Sequence, residues 1–255
     1  MMAVQEGTSS SGARLWWRWV AANGASEMLG LAATGAAIAL LFSRVEALPG
    51  MAGVLLSLLV AAGSGAIEAT LVGLAQWWAM HPWFPGITRR AWWLATLVGA
   101  MVAYVLGFLP STLMNMGAEA SGQPVAEPPG WMMLLFAAGL GLVAGAVLSF
   151  AQWLVLRKQV RRAGWWLPAN MLAWLAGMPI IFWGIDAAQK GQPLYQALLL
   201  IAGCLLLVGL LVGAIHGAFL VWLARPAGET ASPARRSAAG PSQDAVNPPD
   251  GTETS

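Results

Sequence analysis

Glu27, Glu68 and His216 are ionisable residues set inside runs otherwise suited to lipid. An acidic side chain at the centre of a membrane helix costs about 2.5–3.5 kcal/mol on insertion scales, so such residues turn inward and mark candidate function. Glu27 follows Arg18 by nine residues, His216 precedes Arg225 by nine, and Glu68 precedes His81 by thirteen. At a rise of about 1.5 Å per residue, each lies roughly 13–20 Å from the basic end of its helix, near the middle of a bilayer. Asn23, Glu27, Gly30 and Thr34 share one helix face. Two adjacent carboxyls in low dielectric do not both ionise, so one retains a proton; with His216 as titrating partner, the trio forms a midplane site for a proton or cation, open to the cytoplasm. Asn23, Gln76, Gln152 and Asn170 add a polar layer nearer the basic ends. A purely structural alternative stands beside this one: protonated Glu, neutral His and the amides hydrogen-bond between helices and hold them together.

Other chemistries find no support in the sequence. It contains neither a His-Glu-x-x-His zinc motif nor a Gly-x-x-x-x-Gly-Lys-Ser/Thr phosphate loop, and the single cysteine, Cys204, allows no internal disulfide or Cys-based metal set. No metal and no cofactor is expected. Asp186 and Tyr195 fall near helix ends and read as interfacial.

The elements that must position these residues are membrane helices. At 58% hydrophobic and 9% charged residues, with mean hydropathy +0.66, the chain carries too much apolar surface for a soluble domain of 255 residues. Six spans are expected, over about 16–42, 51–80, 91–114, 131–156, 164–187 and 194–224, each meeting the roughly 20 residues that a bilayer requires. Segment 1–14 reads as an irregular tail without the basic start of a signal peptide, and 226–255 as a Pro/Ser/Ala-rich disordered tail. The transmembrane domain is therefore 15–225. Of the 13 Lys and Arg, eleven fall in the N-terminal segment, the second and fourth loops and the C-terminal segment. That alternation places both termini in the cytoplasm.

The spans repeat. Gly65, Ala69 and Gly73 correspond to Gly141, Gly145 and Ser149, and to Gly209, Gly213 and Gly217, with Gln76-Trp77 matching Gln152-Trp153. Among the odd spans, Trp19, Ala22 and Asn23 match Trp166, Ala169 and Asn170 at one offset, with Trp92, Ala95 and Thr96 in the corresponding places. The architecture implied is an all-α bundle of three tandem hairpins of like orientation, 15–80, 91–156 and 164–225, around a pseudo-threefold axis. Small residues four apart form one face and let helix backbones approach closely, which is what holds helices together in lipid.

The chain resembles a group of bacterial multi-pass membrane proteins in Gln152-Trp153-Leu154-Val155-Leu156-Arg157, in Trp165-Trp166 through Asn170, and in Gly213-Ala214-Ile215-His216-Gly217 through Leu223. The resemblance implies a six-span fold in the bacterial inner membrane and carries no catalytic residue. Ser149 and His216 on separate spans are similar in placement to the pair of rhomboid-like intramembrane serine proteases, but Val147-Leu148-Ser149-Phe150 lacks their glycine-flanked serine, so no enzyme is expected. The basic turn Arg157–Arg162, beside a span and flanked by tryptophans, is expected to touch anionic lipid rather than nucleic acid. Two functions fit: binding or transport of a small solute, ion or lipid at the midplane site, or a scaffold for a partner protein that uses the small-residue faces for packing alone.

Overall fold

The computed structural model describes residues 2–45, 50–122 and 128–225, all of whose regular structure is helical. Six helices follow one another: α1 (Met2–Val45), α2 (Gly50–Met80), α3 (Arg89–Ser121), α4 (Gly130–Leu156), α5 (Trp166–Ala188) and α6 (Leu194–Leu223). Each contains a stretch long and apolar enough to cross a membrane, and the chain is a multi-pass membrane protein. The tail 226–255 and the loop residues 46–49 and 123–127 lie outside the described residues. Two expectations about helix length need correction. Helix α1 begins at Met2, so residues 2–14 are helical backbone, and Ser11 accepts a hydrogen bond from the Trp83 indole at 3.0 Å, which ties that turn to the loop after α2. Helix α3 runs seven residues beyond Met114, to Ser121, and ends at Gly122, whose φ of 65° a β-carbon would strain.

Each helix packs on its neighbours in sequence, and α6 packs on α1, so six seams close a ring. The small-residue stripes lie in alternate seams. A β-carbon on Gly65 or Gly73 of α2 would strike the Tyr104 ring or Thr96 of α3; on Gly141 or Gly145 of α4, the carbonyls of Trp174 and Asn170 on α5; on Gly209, Gly213 or Gly217 of α6, Asn23 or Trp19 of α1. These glycines are needed because the neighbouring helix occupies the space a side chain would take. Ala69 and Ser149, the other members of the stripes, are buried, and Ser149 returns its hydroxyl to the Gly145 carbonyl at 2.6 Å. The stripes thus join α2 to α3, α4 to α5 and α6 to α1, linking one expected hairpin to the next.

The outward faces carry large apolar side chains such as Leu59, Val98, Phe136 and Leu199, all exposed, as contact with lipid tails requires. Inside, the largest buried cluster sits at the end of the bundle where the arginines emerge, here called the basic end. It comprises Leu15, Trp19, Met80, Trp92, Leu156, Trp166 and Leu220, with Phe84 and Ile87 of the α2–α3 loop tucked beneath.

Candidate functional site

The site is built in two layers. Nearer the basic end, three tryptophans at matching places on the odd helices, Trp19, Trp92 and Trp166, are fully buried and meet near the centre of the bundle. Trp166 lies 5.8 Å from Trp19 and 6.1 Å from Trp92 between ring centroids, in edge-on arrangements that aromatic quadrupoles favour. An indole N–H is a donor only, and burying it in a membrane requires an acceptor. Each finds one on the even helix behind it. Trp92 donates to Gln76 Oε1 at 3.2 Å, Trp166 to Gln152 Oε1 at 2.9 Å, and Trp19 to His216 Nδ1 at 2.9 Å.

The residue four beyond each tryptophan completes the layer. Asn23, Thr96 and Asn170 return their side chains to the carbonyls of Trp19, Trp92 and Trp166 at 2.8, 3.0 and 2.8 Å. Gln76 Nε2 then donates to Asn23 Oδ1 at 2.9 Å, and Gln152 Nε2 to Thr96 Oγ1 at 3.0 Å and to Gln76 Oε1 at 3.1 Å. Each glutamine therefore bridges the odd helix before it and the odd helix after it. On α6 the corresponding residue is Leu220, which cannot do this, and the acceptor for Trp19 comes from His216, one turn away. The third sector is thus the one where the pattern breaks and an imidazole enters. Because Trp19 can only donate, the geometry makes Nδ1 an acceptor and leaves the imidazole proton on Nε2.

The second layer lies just beyond, at the depth where the midplane site was expected. Glu27, Glu68 and His216 converge on one internal cavity, also lined by Gln76 and Asn170 of the polar layer, by Thr96, and by Leu148 and Trp174, so that all six helices contribute. About 10 Å³ of it is open to the centre of a water molecule, room for about one water. Glu27 and Glu68 are buried and within hydrogen-bonding reach of each other. Two carboxylates are both acceptors, so a hydrogen bond between them exists only when one carries a proton. Among the described residues, no N–H or hydroxyl reaches Glu27 Oε2, which is buried. Glu68 Oε2 accepts a hydrogen bond from the Tyr104 hydroxyl. Gly30 makes the pairing possible, since its α-carbon faces that of Glu68 so closely that a β-carbon would stand 2.9 Å away.

The sequence reading expected this site to open toward the arginine-bearing side. The tryptophan layer and the apolar cluster below it occupy that side instead, because Trp19, Trp92 and Trp166, one from each odd helix, all point inward at one level. Asn23 and Gln152 sit within that layer and do not line the cavity. Tyr104 and the acceptor-seeking role of the three tryptophans were missed. Tyr104 is one of only two tyrosines, and it lies fifteen residues into α3 from Arg89, too deep for an interfacial belt; that depth was the available signal. Thr96 was visible as the counterpart of Asn23, but its hydroxyl was not weighed as a polar group.

At the rim of the basic end, arginines lie over tryptophan rings. Arg18 stacks on Trp78 at 4.4 Å and donates to the Trp78 carbonyl at 2.9 Å, Arg157 stacks on Trp153 at 4.7 Å, and Arg162 on Trp222 at 5.0 Å. Compared with known proteins, the chain matches no family model, no curated protein and no solved structure.

Proposed function

We propose that this protein binds and carries a proton or a small monovalent cation at the Glu27–Glu68 pair, across the bacterial inner membrane, with both termini in the cytoplasm. The observation that carries this reading is the buried Glu27 Oε2, which no donor among the described residues reaches, beside a second carboxyl in a cavity that all six helices line. A carboxyl pair buried at that depth is costly to keep, and a structural bundle has cheaper ways of joining helices. The cavity accommodates about one water, which favours a proton or bare cation over an organic solute. The thrice-repeated tryptophan and small-residue contacts support descent from three copies of one hairpin. Stacked Arg157 and Arg162 suit contact with anionic lipid headgroups, because their rings hold the guanidinium planes at the interface.

The test uses purified protein in liposomes that enclose a pH-sensitive dye, driven by a potassium diffusion potential. Wild type is expected to acidify the lumen faster than empty liposomes, and Glu27→Gln and Glu68→Gln each to abolish the difference. Wild-type flux equal to that of empty liposomes, with sodium or potassium gradients also without effect, ends this reading.

The alternative function, a scaffold for a partner protein, draws on one observation: every small-residue stripe is already consumed in sealing a seam between helices. It requires that both glutamine variants leave cellular phenotype and membrane abundance unchanged.

A further inference from the structure

We infer that Tyr104 is the door to the carboxyl pair: protons reach Glu68 and Glu27 through its hydroxyl, from the end of the bundle remote from the arginines. This rests on the carrier reading and adds a direction and a residue to it. Within the cluster formed by Glu27, Glu68, Thr34, Ser64, His216 and Tyr104, Tyr104 alone is not fully buried, and at fifteen residues from Arg89 it stands farther from the basic end than Glu68, thirteen from His81. Its hydroxyl donates to Glu68 Oε2 and lies in reach of the Thr34 hydroxyl, which in turn donates to the Ser64 carbonyl at 2.9 Å. One turn outward, Phe108 stacks on the tyrosine ring with centroids 6.3 Å apart, and Gly65 lies flat against its inner side, where a β-carbon would come within 2.5 Å. The ring is thereby held with its oxygen on Glu68.

The opposite side is sealed by a group that cannot pass a proton inward. Trp19 donates its only N–H to His216, and Trp166 covers the same imidazole at 5.5 Å between centroids. The titratable groups facing the pair are Tyr104 from α3 and His216 from α6; α4 and α5 contribute Leu148, Asn170 and Trp174, none of which titrates. In the relay, the Tyr104 oxygen accepts a proton from an entering hydronium, which leaves as water, as its own O–H proton passes to the Glu68 carboxylate. The phenol is neutral before and after, so no phenolate forms and no charge is left in the bilayer.

The experiment is infrared spectroscopy of the full chain in lipid nanodiscs. It follows deuterium exchange of the protonated carboxyl C=O band, assigned by its loss in Glu27→Gln and Glu68→Gln. Tyr104→Phe keeps the ring packing and removes the hydroxyl; exchange is expected to slow by at least about tenfold, the scale of losing a positioned proton-transfer group. Tyr195→Phe, which removes an exposed hydroxyl away from the pair, is expected to leave the rate unchanged. Exchange in Tyr104→Phe at the wild-type rate overturns the door. Should Tyr104→Phe fail to fold, Tyr104→Met removes the same hydroxyl with a side chain that can adapt to the gap, and an unchanged rate there overturns the door as well. Absence of the band from wild type sinks the carrier reading itself, whereas a band whose exchange ignores Tyr104 sinks only the door.

Discussion

The two halves of the bundle bury different kinds of side chain. At the basic end the interior holds Trp19, Trp92, Trp166, Leu15, Met80, Leu156 and Leu220, each fully enclosed, with every indole N–H matched to an acceptor. Beyond the carboxyl pair many of the buried residues are small, among them Ala61, Ala62, Ala137, Gly184 and Ala197, with Leu205 and Val208 as larger exceptions, while bulky neighbours such as Leu59, Trp131, Trp183 and Leu199 are exposed. In lipid the difference matters more than in water. Contact between two leucines gains nothing over contact with acyl chains, so helices are held by close packing and by polar groups that have no other partner. The basic half has both devices at one level; the remote half relies mainly on close approach, with the Thr34 hydroxyl on the Ser64 carbonyl as a polar tie between α1 and α2. The proposed carrier would need a seal on one side of its site and a side that can open, a contrast that the two packing styles match.

Four substitutions test the contrast, in descending order of effect. Trp166→Ala removes a fully buried ring and leaves Gln152 Oε1 short of a donor, so it is expected to destabilise by about 3–5 kcal/mol, whereas the half-exposed Trp183 should tolerate alanine within about 0.5 kcal/mol. Thermal unfolding in detergent, compared between the two variants, measures this; equal losses would erase the distinction between the halves. Gly145→Ala places a β-carbon 2.6 Å from the Asn170 carbonyl, with backbone on both sides, and should cost about 1–3 kcal/mol, while Gly139→Ala meets nothing within 4 Å and should be neutral or slightly stabilising. Gln152→Leu severs three hydrogen bonds and orphans the Trp166 N–H, for a loss of about 1–2 kcal/mol on the scale of polar contacts within membranes, readable as a lowered unfolding midpoint. Arg18→Lys loses the flat stack on Trp78 and is expected to cost under about 1 kcal/mol, detectable in a double-mutant cycle with Trp78→Ala.

How much of this was legible beforehand varies residue by residue. The depth of Glu27, Glu68 and His216 follows from helical rise counted from the nearest flanking arginine or histidine, which is local arithmetic. The stripe glycines announced close packing through their spacing, but not their partners: nothing in Gly65 names Tyr104, and nothing in Gly217 names Trp19. The error about which side of the site is closed has the same origin. Trp19, Trp92 and Trp166 resemble interfacial anchors when read along the chain, because a tryptophan near an arginine usually sits in the headgroup belt. Trp17, Trp78 and Trp165 are exposed, as that reading requires, and only the helical phase that ring closure imposes turns the other three inward.

The sequence by itself therefore determined the solvent, the six apolar spans, the depth of the ionisable residues and the positions where backbones meet, since each depends on composition or on period along one helix. Tertiary structure alone decided that α6 closes on α1, that Glu27 finds Glu68 and Tyr104, and that His216 replaces a glutamine in the third sector. Those are contacts between residues 36 to 197 positions apart, and they are fixed only when six helices choose their rotations together.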